Sequence, residues 1–407
     1  MSSAISRRTF LGAGAASAAA MGVIVKAESK NAAADAIPLA RPLAIDELST
    51  PALLIDLDRM DGNLRKMADH ARGKNVGLRP HTKTHKCPII AKMQIDLGAV
   101  GVCAAKVSEA EVMAAGGVGN VLITSPVVTS EKISRVVALA KKSSGIQMVV
   151  DNAKTIDDFN EAAKAAGIEL RVILDLDTGT KRTGIAVGKP ALALAQQIDK
   201  CDALQFDGLQ VYAGHLMHIT GHAQRKSRSV ATFGEAIDTK EMIEQAGIEV
   251  NVLTGGGTGT FDIDSEIEPV TDLQVGSYLF MDVQYREIGD ADSDVFDYFD
   301  PSLFVLVTAI SQPVPDRITV DGGYKAFASD SVVPEFRDVS GLVYHWGGDE
   351  HGIVELIDPS RPVKLGDKLP MIVSHCDPTV NLYDHYHIFG NGRVDELWPI
   401  AARGRSQ

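Results

Sequence analysis

Four cysteines in 407 residues, Cys87, Cys103, Cys201 and Cys376, make no CxxC pair and keep no regular spacing. That pattern excludes a disulfide scaffold and a zinc-finger-type site. A core of the size this length allows needs no cross-links. Cations are the minority: 40 Lys and Arg against 53 Asp and Glu leave a formal net charge of −13, with no long basic run. Nucleic acid is therefore excluded as a partner. No GxGxxG follows the first predicted strand, and no glycine-rich stretch carries the GK[ST] of a nucleotide P-loop. Those absences argue against dinucleotide and nucleotide binding. What remains, 45% hydrophobic and 23% charged residues, is the composition of a soluble globular enzyme. The length suits two domains, or one large barrel with an extension.

The N-terminus reads as a targeting segment. Ser6-Arg7-Arg8-Thr9-Phe10-Leu11 precedes a mildly apolar, Ala/Gly-rich run from Gly12 to Val25. Paired arginines before a weakly hydrophobic region resemble a twin-arginine export signal. Val25-Lys26-Ala27 offers small residues for cleavage after Ala27, and the run is too short and too rich in Ala and Gly for a stable membrane span. The expectation is a signal over 1–27, a linker over 28–48 and a periplasmic mature protein free of the membrane.

From Thr50 onward, apolar strands alternate with amphipathic helices. Thr50–Asp58 reads as a strand, with Asp58 capping a helix over 60–72. Further strands are predicted over 99–105, 120–125, 146–151, 169–175, 208–212 and 250–253. Helices are predicted over 88–97, 108–115, 130–142, 156–166, 190–200 and 227–246. Alternation of this kind predicts a parallel sheet covered by helices, and seven or eight units through about residue 285 predict a (β/α)8 barrel. Beyond Asp300 the texture changes to short alternating strands over 302–310, 317–320, 341–344, 352–356 and 369–373, with Gly, Pro and Asp turns between them. The expected fold is α/β: a barrel over 49–290 and a small all-β domain over 300–403.

Four stretches could carry chemistry. Leu78-Arg79-Pro80-His81-Thr82-Lys83-Thr84-His85-Lys86 crowds cations together. Such crowding tends to lower the pKa of a partly desolvated lysine, and a neutral lysine can attack a carbonyl; a solvated basic loop is the alternative. Thr254-Gly255-Gly256-Gly257-Thr258-Gly259-Thr260 follows an apolar strand, where glycines let N–H groups approach an anion; the alternative is a tight turn. Asp175–Gly184 places Arg182 beyond a strand end, and Gly208–His218 places Tyr212, His215 and His218 likewise. Either could be a polar loop. Ser374-His375-Cys376-Asp377-Pro378-Thr379 is the metal candidate. In an extended segment His375 and Asp377 would point the same way and Cys376 the other, a pairing suited to Mn, Co, Mg or Zn.

Together these motifs resemble the D-threonine aldolase and D-serine dehydratase-like family, within the alanine-racemase (fold type III) group of pyridoxal-phosphate enzymes. The resemblance rests on Arg79–Lys86, Asp177-Thr178-Gly179 with Arg182-Thr183-Gly184, the glycine-rich run 255–259, and His375–Thr379. It implies a pyridoxal 5'-phosphate barrel followed by a β domain, often dimeric, so a homodimer is expected. It implies Lys83 as the Schiff-base lysine. It places the phosphate on Thr254, Gly256, Gly257 and Thr258, Arg182 at the ring's phenolic oxygen, and Tyr212 at the pyridine nitrogen. A divalent metal (Mn, Co or Mg, with Zn ranked below) is implied on His375 and Asp377, and His218 or a metal-bound hydroxide as the base.

The implied reaction is cleavage of a D-3-hydroxy amino acid, such as D-threonine or D-3-hydroxyaspartate, to glycine and an aldehyde. The alternatives are a D-serine-type dehydratase, a periplasmic racemase, and a non-catalytic pyridoxal-phosphate-holding protein. Dehydratases of the family are expected to carry His-x-Cys at the metal. Here the third residue is Asp377, and Asp321–Phe327 also looks like the aldolases.

Overall fold

The structure is a computed structural model that describes residues 35–407; the expected signal segment lies outside the described residues. Its larger half is a parallel barrel. Eight strands run in the order Gly77–Leu78, Asp272–Leu273, Val252–Gly255, Leu204–Val211, Leu170–Asp177, Gln147–Val150, Val121–Ile123 and Val102–Ala104. The ring is completed by chain continuing from the first of these. His81 bridges Cys103 in parallel, and Cys103 N–H donates to Pro80 O at 2.8 Å. Cys103, Leu122, Val149 and Ile173 fill the barrel's centre, each fully buried. Helices wrap the outside through apolar stripes such as Ile133, Val136, Val137 and Leu139 on Ser130–Lys142. Thr129 caps that helix by accepting from Lys132 N–H.

Three expectations from the sequence are corrected here. Ala52–Asp56 does not belong to the barrel. It pairs antiparallel with Leu303–Val314 and parallel with His385–Gly390, inside the second sheet. All five of its side chains are buried, and local pattern cannot say which sheet buries them. The helix after it, Leu57–Lys74, is capped by Asp56, which accepts from Arg59 N–H, rather than by Asp58. The linker region also contains structure: Ile37–Ala44 forms a strand against Arg393–Pro399. The N- and C-terminal ends of the described chain thus build one β domain together.

That domain sits over the C-terminal ends of the barrel strands and is tied to them by buried bonds. Asp282 Oδ2 accepts from Cys376 N–H at 2.9 Å, Tyr386 Oη donates to His85 O at 2.6 Å, and Ala402 N–H donates to Lys86 O at 3.0 Å. One hydrophobic cluster runs through both halves, from Leu64 and Val275 to Trp398. All four cysteines are free.

Candidate active site

Because the barrel strands are parallel, the residues that follow each one share a face. Lys83, Lys106, Thr124, Asp151, Arg182, Tyr212 and Gln274 each follow a different strand, and all line one cavity of about 630 Å³. Its floor is a chain of buried polar groups. Gln210 Nε2 donates to Asp175 Oδ1 at 2.8 Å. Gln274 Nε2 donates to Gln210 Oε1 at 3.2 Å and to Thr254 Oγ1 at 3.1 Å. Thr254 in turn donates to Asp272 Oδ1 at 2.6 Å, which also receives Arg79 Nε at 3.0 Å. Buried polar groups that are mutually satisfied form a rigid base. Burial raises the Asp175 carboxyl to about 6 against its bonds from Gln210 and Thr183.

Lys83 lies in the turn after Gly77–Leu78, not within a strand, and its ammonium pairs with Asp377 of the β domain. Thr84 Oγ1 donates to the other oxygen of that carboxylate at 3.0 Å. The expected fall in the Lys83 pKa is corrected: burial lowers it, but the Asp377 carboxylate, together with Tyr212 and Glu109, outweighs burial and raises it above the ordinary lysine value. Asp377 is held down to about 2, Lys83 overcoming its own burial. The sequence showed the local cations but not a carboxylate 294 positions away. Lys86, the other lysine of the motif, is buried against Glu109 instead.

His375 and Asp377 are not in an extended segment. His375 is extended, but it caps the short helix Cys376–Val380 that carries Asp377. The two side chains still share a neighbourhood, since the His375 charge contributes to the fall in the Asp377 pKa. Cys376 is fully buried, its thiol against Met281 O at 3.5 Å. His375 Nδ1 bonds Asp330 Oδ2 at 2.8 Å, leaving Nε2 for another partner. The segment after Asp321–Phe327 builds this corner: Ser374 Oγ donates to Ala328 O at 2.5 Å, and Ala328 N–H donates to Thr379 Oγ1 at 3.0 Å. Asp330 carried no motif signal of its own. Only its place across the corner from His375 reveals it.

His218 lies 4.7 Å from the Tyr285 ring, centroid to centroid. Burial, then the charges of His375 and Lys83, lower its pKa to about 4, so its ring is neutral near pH 7. Arg182 packs its guanidinium over the Tyr212 ring at 4.9 Å.

The glycine-rich loop follows Val252–Gly255. Gly256 has φ +68°, and a Cβ there would collide with Asp264 Oδ2. A Cβ on Gly257 would stand 2.7 Å from Met217 Sδ. The N–H groups of Gly257, Thr258 and Gly259 find no acceptor among the described residues, and Thr258 Oγ1 accepts from Tyr278 N–H at 3.1 Å, which leaves its own proton to give. Three adjacent free donors with a hydroxyl suit a phosphate. Thr254 is different. Its hydroxyl proton is committed to Asp272, so it braces the floor beneath the cradle.

Behind the cradle, Asp264 is fully buried and accepts from Ser229 and Thr260. Burial raises it from 3.8 to about 7, against those two hydrogen bonds. The folded chain therefore binds this proton more tightly than the unfolded one. The stabilising contribution is complete below pH 3.8 and is lost as pH rises through about 7. Asp264→Asn keeps the shape and removes the titration. Relative to it, wild type is expected to lose up to ~1.4 kcal/mol per pH unit across that window, read by urea unfolding at several pH values. Parallel profiles would show that Asp264 does not titrate there.

These residues fit pyridoxal phosphate: a primary amine at a roomy cavity, a donor-lined loop without side chains, and a guanidinium–phenol wall. For a metal, the described residues hold no group of three or more His, Cys, Asp or Glu side chains placed to bind one. His375 and Asp377 supply one imidazole and one carboxylate, so water or substrate would complete the shell.

A parallel barrel with this lysine, this cradle and a β domain closing over them defines a fold type III pyridoxal-phosphate enzyme. Residues 55–284 match the family model described as Alanine racemase, N-terminal domain, and residues 302–389 match the Putative serine dehydratase domain. The chain belongs to this two-domain family. It is 36% identical to a 3-hydroxy-D-aspartate aldolase from Paracoccus denitrificans over 91% of this chain and 96% of that protein. It is 37% identical to a D-threonine aldolase from Arthrobacter sp. over 91% of this chain and 95% of that one. The crystal structure of D-threonine aldolase from Filomicrobium marinum superposes with a TM-score of 0.86 at 38% identity, covering 90% of this chain and all of that one.

Proposed function

We propose that the protein is a carbon–carbon lyase that cleaves D-threonine or a related D-3-hydroxy amino acid between Cα and Cβ, releasing glycine and an aldehyde. The single observation that carries this reading is the Lys83–Asp377 pair. It joins the amine that would hold the cofactor to a carboxylate one residue removed from His375. The likeness to aldolases at 36% and 37% identity supports it.

Bound at Lys83 and the 256–258 cradle, pyridoxal phosphate would supply the electron sink for the charge left on Cα when the bond breaks. On His375 Nε2 and Asp377, a divalent metal (Mn, Co or Mg) would polarise the β-hydroxyl. The chain's own groups do the rest. His218, neutral near pH 7, accepts the hydroxyl proton. Asp330 fixes the His375 ring through Nδ1. The β domain covers the strand ends and limits water. Asp377, which pairs with Lys83 here, would also be a ligand of that metal, so the same carboxylate would serve both the lysine and the ion.

Purified protein given D-threonine is expected to form glycine and acetaldehyde in equal amounts. EDTA should suppress both by on the order of 100-fold or more, with recovery on adding Mn. Ammonia with 2-oxobutyrate would replace the aldolase reading by a dehydratase. Unchanged activity after exhaustive chelation would remove the metal from the mechanism. Ser6–Leu11 supports twin-arginine export to the periplasm, readable by cell fractionation of the full chain. Homodimer formation, expected of this domain arrangement, is readable by light scattering.

A further inference from the structure

Three cations line the cavity, and only Lys83 has a carboxylate partner. Arg182 and Lys106 form no ion pair among the described residues. Arg182 is engaged with the Tyr212 ring, which leaves Lys106. The acids nearest to it are already used. Glu109 gives one oxygen to Lys86 and the other to the N–H groups of Ala105 and Lys106, at 3.0 and 3.1 Å. Asp151, the acid that lines the same cavity, accepts from Gly184 N–H at 3.2 Å and from Asn152 Nδ2 at 2.9 Å. Glu109 thus fixes the backbone of Lys106 while its charge is taken up by Lys86. The Lys106 ammonium has no carboxylate within ion-pair distance among the described residues.

Lys106 follows Val102–Ala104, and Ser125, whose hydroxyl finds no partner among the described residues, follows the adjacent Val121–Ile123. In the barrel order, Val121–Ile123 stands four strands from Val252–Gly255 whichever way the ring is followed, and Val102–Ala104 stands three strands from it by the shorter way. The phosphate cradle and this ammonium-and-hydroxyl wall are therefore on opposite sides of the cavity. A second anion site across from the phosphate has no cofactor group to serve.

We propose that Lys106 is the specificity-determining residue that receives the distal carboxylate of a dicarboxylic D-3-hydroxy amino acid, making D-3-hydroxyaspartate a better substrate than D-threonine. This rests on the aldolase reading above and adds the substrate class to it. Lys106 is an exposed residue of the cavity lining. A charge-assisted hydrogen bond from it to the second carboxylate favours the dianion, whereas the methyl of D-threonine leaves the ammonium to water.

The test compares the cofactor-loaded wild type, Lys106→Met and Lys106→Arg. In Lys106→Met, kcat/KM for D-3-hydroxyaspartate is expected to fall on the order of 10- to 100-fold, mostly through KM, with D-threonine changed less than about 3-fold. Lys106→Arg should restore most of the loss. A binding readout runs beside it: D-aspartate, which lacks the β-hydroxyl, is titrated against D-2-aminobutyrate by the cofactor's absorbance. Lys106→Met should weaken D-aspartate alone. Equal losses on both substrates, or an unchanged preference, would overturn the proposal. If wild type releases glycine from neither substrate, the aldolase reading fails by itself. The role of Lys106 then stands or falls on the ratio of D-aspartate to D-2-aminobutyrate binding.

Discussion

The Lys83→Ala protein is expected to lose the visible absorbance of lysine-bound pyridoxal phosphate and to lose glycine formation by roughly four orders of magnitude or more, the scale on which enzymes lose activity with their covalent residue. The reason is positional. Among the lysines of the Arg79–Lys86 motif, Lys83 alone lines the cavity, and its amine meets Asp377 across the domain boundary. The fold should survive the change, because the Lys83 side chain retains 37% of its exposure and the Asp377 carboxylate keeps its bond from Thr84. Circular dichroism and a melting curve close to wild type would separate lost chemistry from lost structure. A persisting band in well-folded Lys83→Ala would mean that another amine holds the cofactor.

Three residues on, the expected result is the reverse. Lys86→Met should leave the cofactor chemistry in place but cost about 3–5 kcal/mol of folding stability, the price of an orphaned buried charge. The Lys86 and Glu109 side chains retain only 9% and 3% of their exposure. Removing the ammonium strands the Glu109 carboxylate in the barrel wall, where N–H groups of Ala105 and Lys106 offset only part of the loss. Guanidinium unfolding at pH 7 measures the effect. Adding Glu109→Gln to Lys86→Met should recover part of it, since the stranded charge is then gone. A single-mutant loss below about 1 kcal/mol would mean that the pair is effectively solvated.

The contrast between these lysines shows how far the motif could be read. Its residue types marked a reactive amine, and the family resemblance selected Lys83. The charge state of that amine was misjudged, because the nearest cations in the chain matter less than one carboxylate arriving from the β domain. Thr254 and His375 teach the same lesson. The glycine-rich run announced an anion cradle, yet the Thr254 hydroxyl is consumed by Asp272 below it. The spacing of His375 and Asp377 suggested an extended pair, yet Pro378 falls within the first turn of a short helix, a position that accepts proline readily.

By itself the sequence determined what depends on near neighbours. The helix over Ser130–Lys142 and the strands Arg317–Val320 and Gly352–Leu356 occur where periodicity places them, since a face repeating every 3.6 or 2 residues has one way to be buried. The alternation of strands and helices likewise determined a barrel. Tertiary structure decided the rest. It drew Ala52–Asp56 into the second sheet, closed the ring through a turn rather than a long strand, and set Asp330 against His375. It also gave Lys83 a carboxylate partner and left Arg182 and Lys106 without one among the described residues. Hydrogen-bond partners, ion pairs and pKa values depend on groups brought together from distant parts of the chain, and no local pattern records them.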